Sequence, residues 1–408
     1  MSDSLSLRTA IYNAQCTEDR CNPRERGLSH SCPGGDTRVS HSPAQSAASL
    51  RLCCQDLGVP DFVAGLDLNA GFYDDVVAPL VKPWPHSAGL LGWGSDVLGY
   101  DTQRSTDHGW GPRLQIFVDD ADDVTDARRA VDAGLPAAYR GWPTTYGWDS
   151  TPVTNHVTVT TLHEWLRAWF GYDPGPTMSA LDWLVTPQQR LLGVVRGAVY
   201  HDDDARLSQL RERLAWYPDE LWRWTIACQW KRVAQEEAFV GRASEVGDEL
   251  GSRIVASRIV RELMRLWFLL NREYWPYTKW FGTAFGRLDG AGALASTLAR
   301  VLDARDYPRR EAALVDAYEL VGRRHNSAGI SDTVDPSVRR FHGREYLVVM
   351  AERFVDALLA TIADPWLEEL PLIGTVDQFV DSTDVLQDPR ATERLRALYR
   401  ARPEPSEG

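Results

Sequence analysis

The stretch GWGSDVLGYDTQRSTDHGWGPRLQIFV, Gly92 to Val118, decides how this chain is read. The apolar run Ala88 to Trp93 and the segment Leu114 to Val118 both read as strands, with a polar stretch between them. If a helix starts at or just after Ser95, Gly94 lets the backbone approach an anion closely. The Ser95 hydroxyl and the first free helical N–H groups then point at that anion, which makes a phosphate cradle. The pattern is no P-loop, because G-x-x-x-x-G-K-[ST] is missing, and no dinucleotide fingerprint, because Val97 stands where the third Gly belongs. A plain turn accounts for Gly-Ser about as well. Asp107, a short loop further on, adds a carboxylate able to reach a divalent ion held on the same phosphates.

Upstream, Phe62, Leu66, Phe72, Val76 and Leu80 recur at near-helical intervals, and Pro83 and Pro85 stop that helix. Downstream, DDADDVTDARRAVDAG predicts a helix with acids in its first turn. HVTVTT then alternates as a strand and runs into the helix LHEWLRAWFGYD. Helix, strand, strand, helix, strand, helix predicts a small α/β domain with ligands at the loops after its strands. DPGPTMS, Asp173 to Ser179, reads as the linker. Beyond it the sequence is helical, with a stripe of Val255, Ile259, Leu263, Leu266 and Leu270 and abundant Trp, as in a dense bundle. The expected organisation is a disordered leader over 1–56, an α/β domain over 57–175, a helical domain over 176–395 and a frayed tail over 396–408. The fold class is α+β, a small mixed sheet followed by a mostly helical bundle.

The 408 residues carry a formal net charge of -13, which argues against a duplex-binding surface. No apolar run approaches the roughly 20 residues a membrane span needs, and the N-terminus lacks a secretory signal. Five of the six cysteines, Cys16, Cys21, Cys32, Cys53 and Cys54, crowd near the N-terminus, and Cys228 stands alone. Cys16, Cys21, Cys32 and His30 are imaginable zinc ligands, but no compact C-x-x-C pair occurs, so reduced thiols and a cytoplasmic location are expected. Lys82, Lys231 and Lys279 are the only lysines among many arginines.

Gly94-Ser95, an intervening loop, and Asp107 leading into a strand resemble the signature of the DNA polymerase beta-like nucleotidyltransferases. That superfamily includes the aminoglycoside and lincosamide nucleotidyltransferases. GSDVLGYD, STDH, WGPRLQ, QEEAFVGR, GDELGSR and PYTKWFGTAF are similar to segments of a bacterial nucleotidyltransferase-like family known only as a domain of unknown function. The resemblance implies a two-metal transfer of a nucleoside monophosphate from an NTP to a small hydroxylated acceptor. Ser95 would hold the triphosphate and Asp107 would bind Mg²⁺. The sequence departs from the pattern at Gly109, where a second carboxylate belongs, and at Asn155 and His156, where a third is wanted. Asp96, Asp101, Asp119, Asp120 and Asp149 are the substitutes at hand. The alternative is a catalytically degenerate protein that binds a nucleotide or other ligand on the same fold.

Other candidates come from the helical half. Glu237, in the charged stretch QEEAFVGRASEVGDELGSR, is the candidate base for the acceptor hydroxyl, against the simpler reading of an ion-paired helix surface. Lys279, a charge among aromatics, is a candidate triphosphate contact, and it equally suits snorkelling along a Trp face. Arg258 is a further phosphate candidate that also suits pairing with neighbouring acids. His108 follows Asp107 directly. His163-Glu164 fails the H-E-x-x-H pattern because Arg167 replaces the second His.

Overall fold

The computed structural model describes residues 60–149 and 151–399. The five N-terminal cysteines and most of the leader and tail lie outside the described residues. The chain forms two compact units. The first runs to Leu90, resumes over Gly94–Thr161 and takes back Ala198–Asp204; the second holds Leu91–Trp93, Leu162–Gly197 and the chain from Ala205 on.

The first unit opens with α1 (Gly65–Phe72), a π-helical turn over Tyr73–Val77 and α2 (Ala78–Val81). The near-helical apolar spacing predicts this segment as one helix; the π turn inside it is not legible from spacing. β1 (His86–Leu90) and β2 (Arg113–Val118) follow, separated by the loop that carries Gly94 to Asp107. After a 3-10 turn come α3 (Val124–Gly134), β3 (Ala138–Tyr139), β4 (Trp142–Pro143), β5 (Thr145–Trp148) and β6 (Thr151–Thr160). Both predicted strands form, but β1 ends at Leu90 rather than at Trp93. Gly92 at φ +94° and Gly94 at φ +126° take the backbone out of the range side-chain-bearing residues favour, and the ladder stops there.

The sheet is mixed, in the order β5-β6-β2-β1-β7, where β7 is Ala198–Asp202. β1 pairs antiparallel with β2 and with β7, and β2 pairs parallel with β6. The parallel pair requires a crossover, which α3 supplies. Every residue of β1 and β2 is buried, as suits strands at the centre of a sheet. Ala88, Leu114, Ile116 and Val159 meet Leu68, Phe72, Val77 and Val131 from the helices in one core. The order of strands and helices follows the sequence reading as far as α3; β3, β4 and β5 then stand before β6, where the reading has no strand. β7 departs from it too: it lies beyond the predicted linker, and its partner β1 is over a hundred residues away.

The second unit is helical apart from one short strand pair among the described residues. α4 (Leu162–Phe170), α5 (Ala180–Val185), α6 (Gln188–Val195) and α7 (Arg206–Leu214) precede the long α8 (Asp219–Glu236). Then come α9 (Phe239–Glu245), α10 (Glu249–Leu270), α11 (Thr278–Phe285), α12 (Ala291–Asp303), α13 (Tyr307–Ser327) and, after β8 (Arg339–Arg340) and β9 (Leu347–Val348), α14 (Glu352–Leu359). α8 packs against both α10 and α14. Trp224 and Trp230 are fully buried at its centre. Trp230 stacks on Phe354 with centroids 4.2 Å apart and planes 14° from parallel. Among the described residues no helix is long and apolar enough to cross a membrane.

Candidate functional site

The loop after β1 is built by hydrogen-bonded turns, not by the helix start that the sequence suggests at Ser95. The Tyr100 N–H donates to the Ser95 carbonyl at 2.8 Å, and the Gly99 N–H to the Asp96 carbonyl at 3.1 Å. The Leu98 N–H donates to the Gly94 carbonyl at 3.3 Å, so the segment turns once on itself and does not continue as a helix.

Asp96 sits beneath this turn, 1% exposed, and meets Arg113, 4% exposed, at the first residue of β2. Arg113 Nη2 donates to Asp96 Oδ1 at 2.7 Å and to Oδ2 at 2.9 Å, and Nε donates to Oδ2 at 3.1 Å. Such a forked, fully buried pair satisfies both partners. Burial alone would lower the pKa of Arg113; the Asp96 carboxylate more than reverses that, so the guanidinium is held charged. A Cβ added at Gly94 would lie 2.2 Å from Asp96 Oδ1 and 2.5 Å from Arg113 Nη2. Gly94 is thus required by a close approach to this ion pair. The space beside its Cα, where the sequence suggests a phosphate, is filled by the protein's own charges.

Asn69 of α1 clamps the same corner. Its Oδ1 accepts from the Arg113 N–H at 2.7 Å, and its Nδ2 donates to the carbonyls of Gly65 and Gly111. Asp101 accepts from the Gly65 N–H at 2.7 Å and from Trp110 Nε1 at 2.9 Å, which ties the loop to the start of α1.

Asp107 ends a 3-10 turn over Gln103–Asp107, with its side chain 65% exposed and Arg104 at 3.8 Å. It stands six positions before β2, so its carboxylate is not carried on the strand. Gly109 adopts φ +60°, a conformation side-chain-bearing residues rarely take, at the place where the nucleotidyltransferase pattern has its second carboxylate. The substitutes are committed elsewhere. Asp96 holds Arg113, Asp101 holds α1, Asp120 caps the 3-10 turn before α3, and Asp149 lies 3.4 Å from His108 Nδ1. Asp119, partly buried, follows β2 directly, and its N–H donates to the Pro85 carbonyl. Among the described residues, no group of three or more His, Cys, Asp or Glu donors gathers at Asp107. A pair of catalytic ions needs several convergent oxygen ligands, and the donors at this loop do not make that set.

A cluster of rings adjoins the loop instead. Tyr146 and His156 lie 4.3 Å apart, Trp148 and His156 5.0 Å, and His108 and Trp148 6.2 Å between centroids. The parallel register sets His156 beside Arg113, and the Tyr146 ring closes on Gly111, where an added Cβ would meet it at 3.0 Å. His156 Nε2 donates to the Tyr146 carbonyl at 2.9 Å; because a carbonyl only accepts, Nε2 carries the hydrogen. Burial lowers the His156 pKa, which keeps the ring neutral. Among the described residues, Tyr146 Oη and His108 Nε2 are buried without a hydrogen-bond partner. Burial pushes the Tyr146 hydroxyl well above its ordinary pKa, so it remains a neutral donor. The sequence holds no local sign of this cluster, since strand pairing alone brings it together.

Glu237, Arg258 and Lys279 belong to the second unit. Glu237 is 5% exposed and its Oε1 accepts from the Ala351 N–H at 3.0 Å. Burial raises its pKa to about 7, yet the carboxyl anchors the start of α14 rather than facing solvent. Arg258 Nη2 lies 2.5 Å from Glu236 Oε1, the ion-paired reading. Lys279 is exposed with its ammonium 5.3 Å from the Trp280 ring centroid, the cation–π geometry of a snorkelling lysine.

Residues 183–281 match the family described as a domain of unknown function, DUF4037. This agrees with the resemblance to a family of unknown function, and the matched segment lies wholly outside Gly92–Val118. No curated protein matches the chain. Among solved structures, the chain is similar to a nucleotidyltransferase-like protein from Exiguobacterium sibiricum, with 11% identity over 65% of this chain and 77% of that one, at a TM-score of 0.31. A likeness that distant carries no argument about chemistry.

Proposed function

We propose that the first unit is a nucleotidyltransferase-like binding module that holds a nucleotide or a similar phosphorylated, ring-bearing ligand without transferring it. The observation that carries this reading is the buried Asp96–Arg113 pair, which occupies the corner beside Gly94 and withdraws the nearest carboxylate from metal binding. The lack of convergent donors at Asp107 supports it, as does the ring cluster, with two buried polar atoms that have no hydrogen-bond partner among the described residues. Rings and buried donors suit a planar, hydrogen-bonding ligand. Metal-dependent transfer of a nucleoside monophosphate to a small hydroxylated acceptor is the competing reading, and one experiment separates them.

The experiment is a thermal-shift series of the full chain against the four NTPs, with and without Mg²⁺, repeated on Asp107→Ala and Tyr146→Phe. The binding reading expects stabilisation by at least one NTP that needs no metal, survives in Asp107→Ala and falls in Tyr146→Phe. A ligand at 100 times its dissociation constant stabilises by about 2.7 kcal/mol, well within reach of such a series. A shift that requires Mg²⁺ and vanishes in Asp107→Ala would establish the transferase reading. No shift with any NTP would exclude nucleotides as the ligand.

A further inference from the structure

At the far end of β1 from this loop, three donors meet that the candidate site does not use. His86 is the first residue of β1, and His201 and Asp203 lie at the end of β7. One donor atom from each lies within 4.8 Å of the other two. The antiparallel register places His201 opposite Ala88, and the two imidazoles face each other with centroids 4.6 Å apart. Asp203 Oδ2 accepts from the His86 N–H at 2.9 Å, and Asp203 Oδ1 lies 2.9 Å from His201 Nε2.

We infer that His86, His201 and Asp203 form a binding site for a divalent transition-metal ion, with Zn²⁺ the best match. The donor set is two imidazoles and one carboxylate, which favours Zn²⁺ and its neighbours over Mg²⁺ or Ca²⁺. The tautomer of His86 is already set for ligation. Its Nδ1 lies 2.8 Å from the Trp84 carbonyl, and a carbonyl only accepts, so Nδ1 carries the hydrogen and Nε2 keeps its lone pair. An imidazole whose far N–H is held by a backbone carbonyl is the usual outer arrangement around a metal-bound histidine.

The other two donors, His201 and Asp203, already face each other. His201 Nε2 and Asp203 Oδ1, 2.9 Å apart, flank the position that a cation would take between them. Both side chains are over a third exposed, 37% and 43%, so they can close on an ion without disturbing the core. Ligand atoms around a tetrahedral zinc with bonds of about 2.0–2.1 Å sit roughly 3.3 Å apart, wider than the 2.9 Å between His201 Nε2 and Asp203 Oδ1 and inside the 4.8 Å that spans the three donors, and the mobility of these two exposed side chains supplies the adjustment. His86, 4% exposed, stays fixed. The Tyr73 hydroxyl lies 2.9 Å from His86 Nε2 and donates to the lone pair that the metal would take. Tyr73 is thus a competitor for the site, and water fills the remaining coordination position. Bound there, the ion would staple β7 to β1, strands brought from opposite sides of a long stretch of the second unit.

The test uses the full chain, freed of metal by chelator and dialysis, titrated with Zn²⁺ and then Co²⁺. One Zn²⁺ per chain should bind with a rise in Tm, and Co²⁺ should give the visible bands of a four-coordinate site without thiolate charge-transfer absorption. That last feature separates this site from the N-terminal cysteines. His201→Ala, on the exposed rim, should abolish the Zn²⁺-dependent rise while leaving the metal-free Tm close to the parent's. Tyr73→Phe should bind Zn²⁺ more tightly. No Zn²⁺ binding, thiolate absorption alone, or binding unchanged in His201→Ala would overturn the assignment. Weaker or unchanged binding in Tyr73→Phe would overturn the placement of the ion at His86 Nε2.

Discussion

Arg113 is the residue on which the candidate site turns, and its energetics are lopsided. Its guanidinium is paired to Asp96 by three contacts, and both side chains are buried. Removing one member of a buried pair leaves an uncompensated charge, at a cost of about 3–5 kcal/mol. Arg113→Ala should therefore lower the unfolding free energy by that amount in urea titrations, whereas Asp107→Ala, at an exposed ion pair, should change it by less than about 1 kcal/mol. Glu237 makes a second prediction at this scale. Its pKa in the folded chain, about 7, lies above that of an unfolded glutamate. The folded state thus holds a proton that the unfolded state releases, so the stability contributed is full below about pH 4 and is lost as pH rises through 7. Two and a half pKa steps correspond to about 3 kcal/mol. Glu237→Gln keeps an acceptor for the Ala351 N–H and carries no charge, so urea stability measured between pH 5 and pH 8 should lose this slope. Neither residue announces its role in sequence. Arg113 reads as an ordinary strand residue because Asp96 is 17 positions away, and Glu237 reads as one charge among many because burial by α14 is a tertiary fact.

Elements were more legible than contacts. The helices predicted around Phe62–Leu80 and Val124–Gly134, and the strands at Leu114–Val118 and in HVTVTT, all form, because apolar spacing is a local signal that the core then uses directly. The Gly-Ser turn shows the limit of that logic. Whether a glycine opens a helix or turns a loop depends on what lies against it, and at Gly94 that is the Asp96 carboxylate. Gly193 in α6 is the same kind of position within the second unit. Its carbonyl accepts from the Gly92 N–H at 2.7 Å, and an added Cβ would lie 2.6 Å from the Gly92 carbonyl oxygen and 2.5 Å from the Trp169 ring. Alanine is otherwise the better helix former, so propensity predicts a gain. Overpacking wins here, because the obstacle is backbone that cannot rotate away, and Gly193→Ala should cost about 1–3 kcal/mol in thermal or urea unfolding.

On the scale of the whole molecule, the chain leaves the first unit after Thr161 and returns to it for seven residues, Ala198–Asp204, before completing the second. Sequence composition put the boundary at the Pro/Gly stretch Asp173–Ser179, since that is where turn-forming residues concentrate; AVYHD, between two helical segments, gives no sign that it crosses back. The consequence is physical. β7 covers one edge of β1, and without it the unpaired N–H and C=O groups of β1 become a template for pairing with other chains. The fragment 57–175 lacks β7, the Asp203 carboxylate that holds the His86 N–H, and the Tyr200 hydroxyl that donates to the Leu66 carbonyl at 3.0 Å. It should therefore aggregate and show no cooperative urea transition, while 57–204 should recover a sigmoidal transition and the near-ultraviolet circular dichroism of a packed aromatic core. A cooperative, monomeric 57–175 fragment would mean that β7 only decorates the sheet. Failure of both fragments would mean that the first unit depends on the rest of the chain for folding.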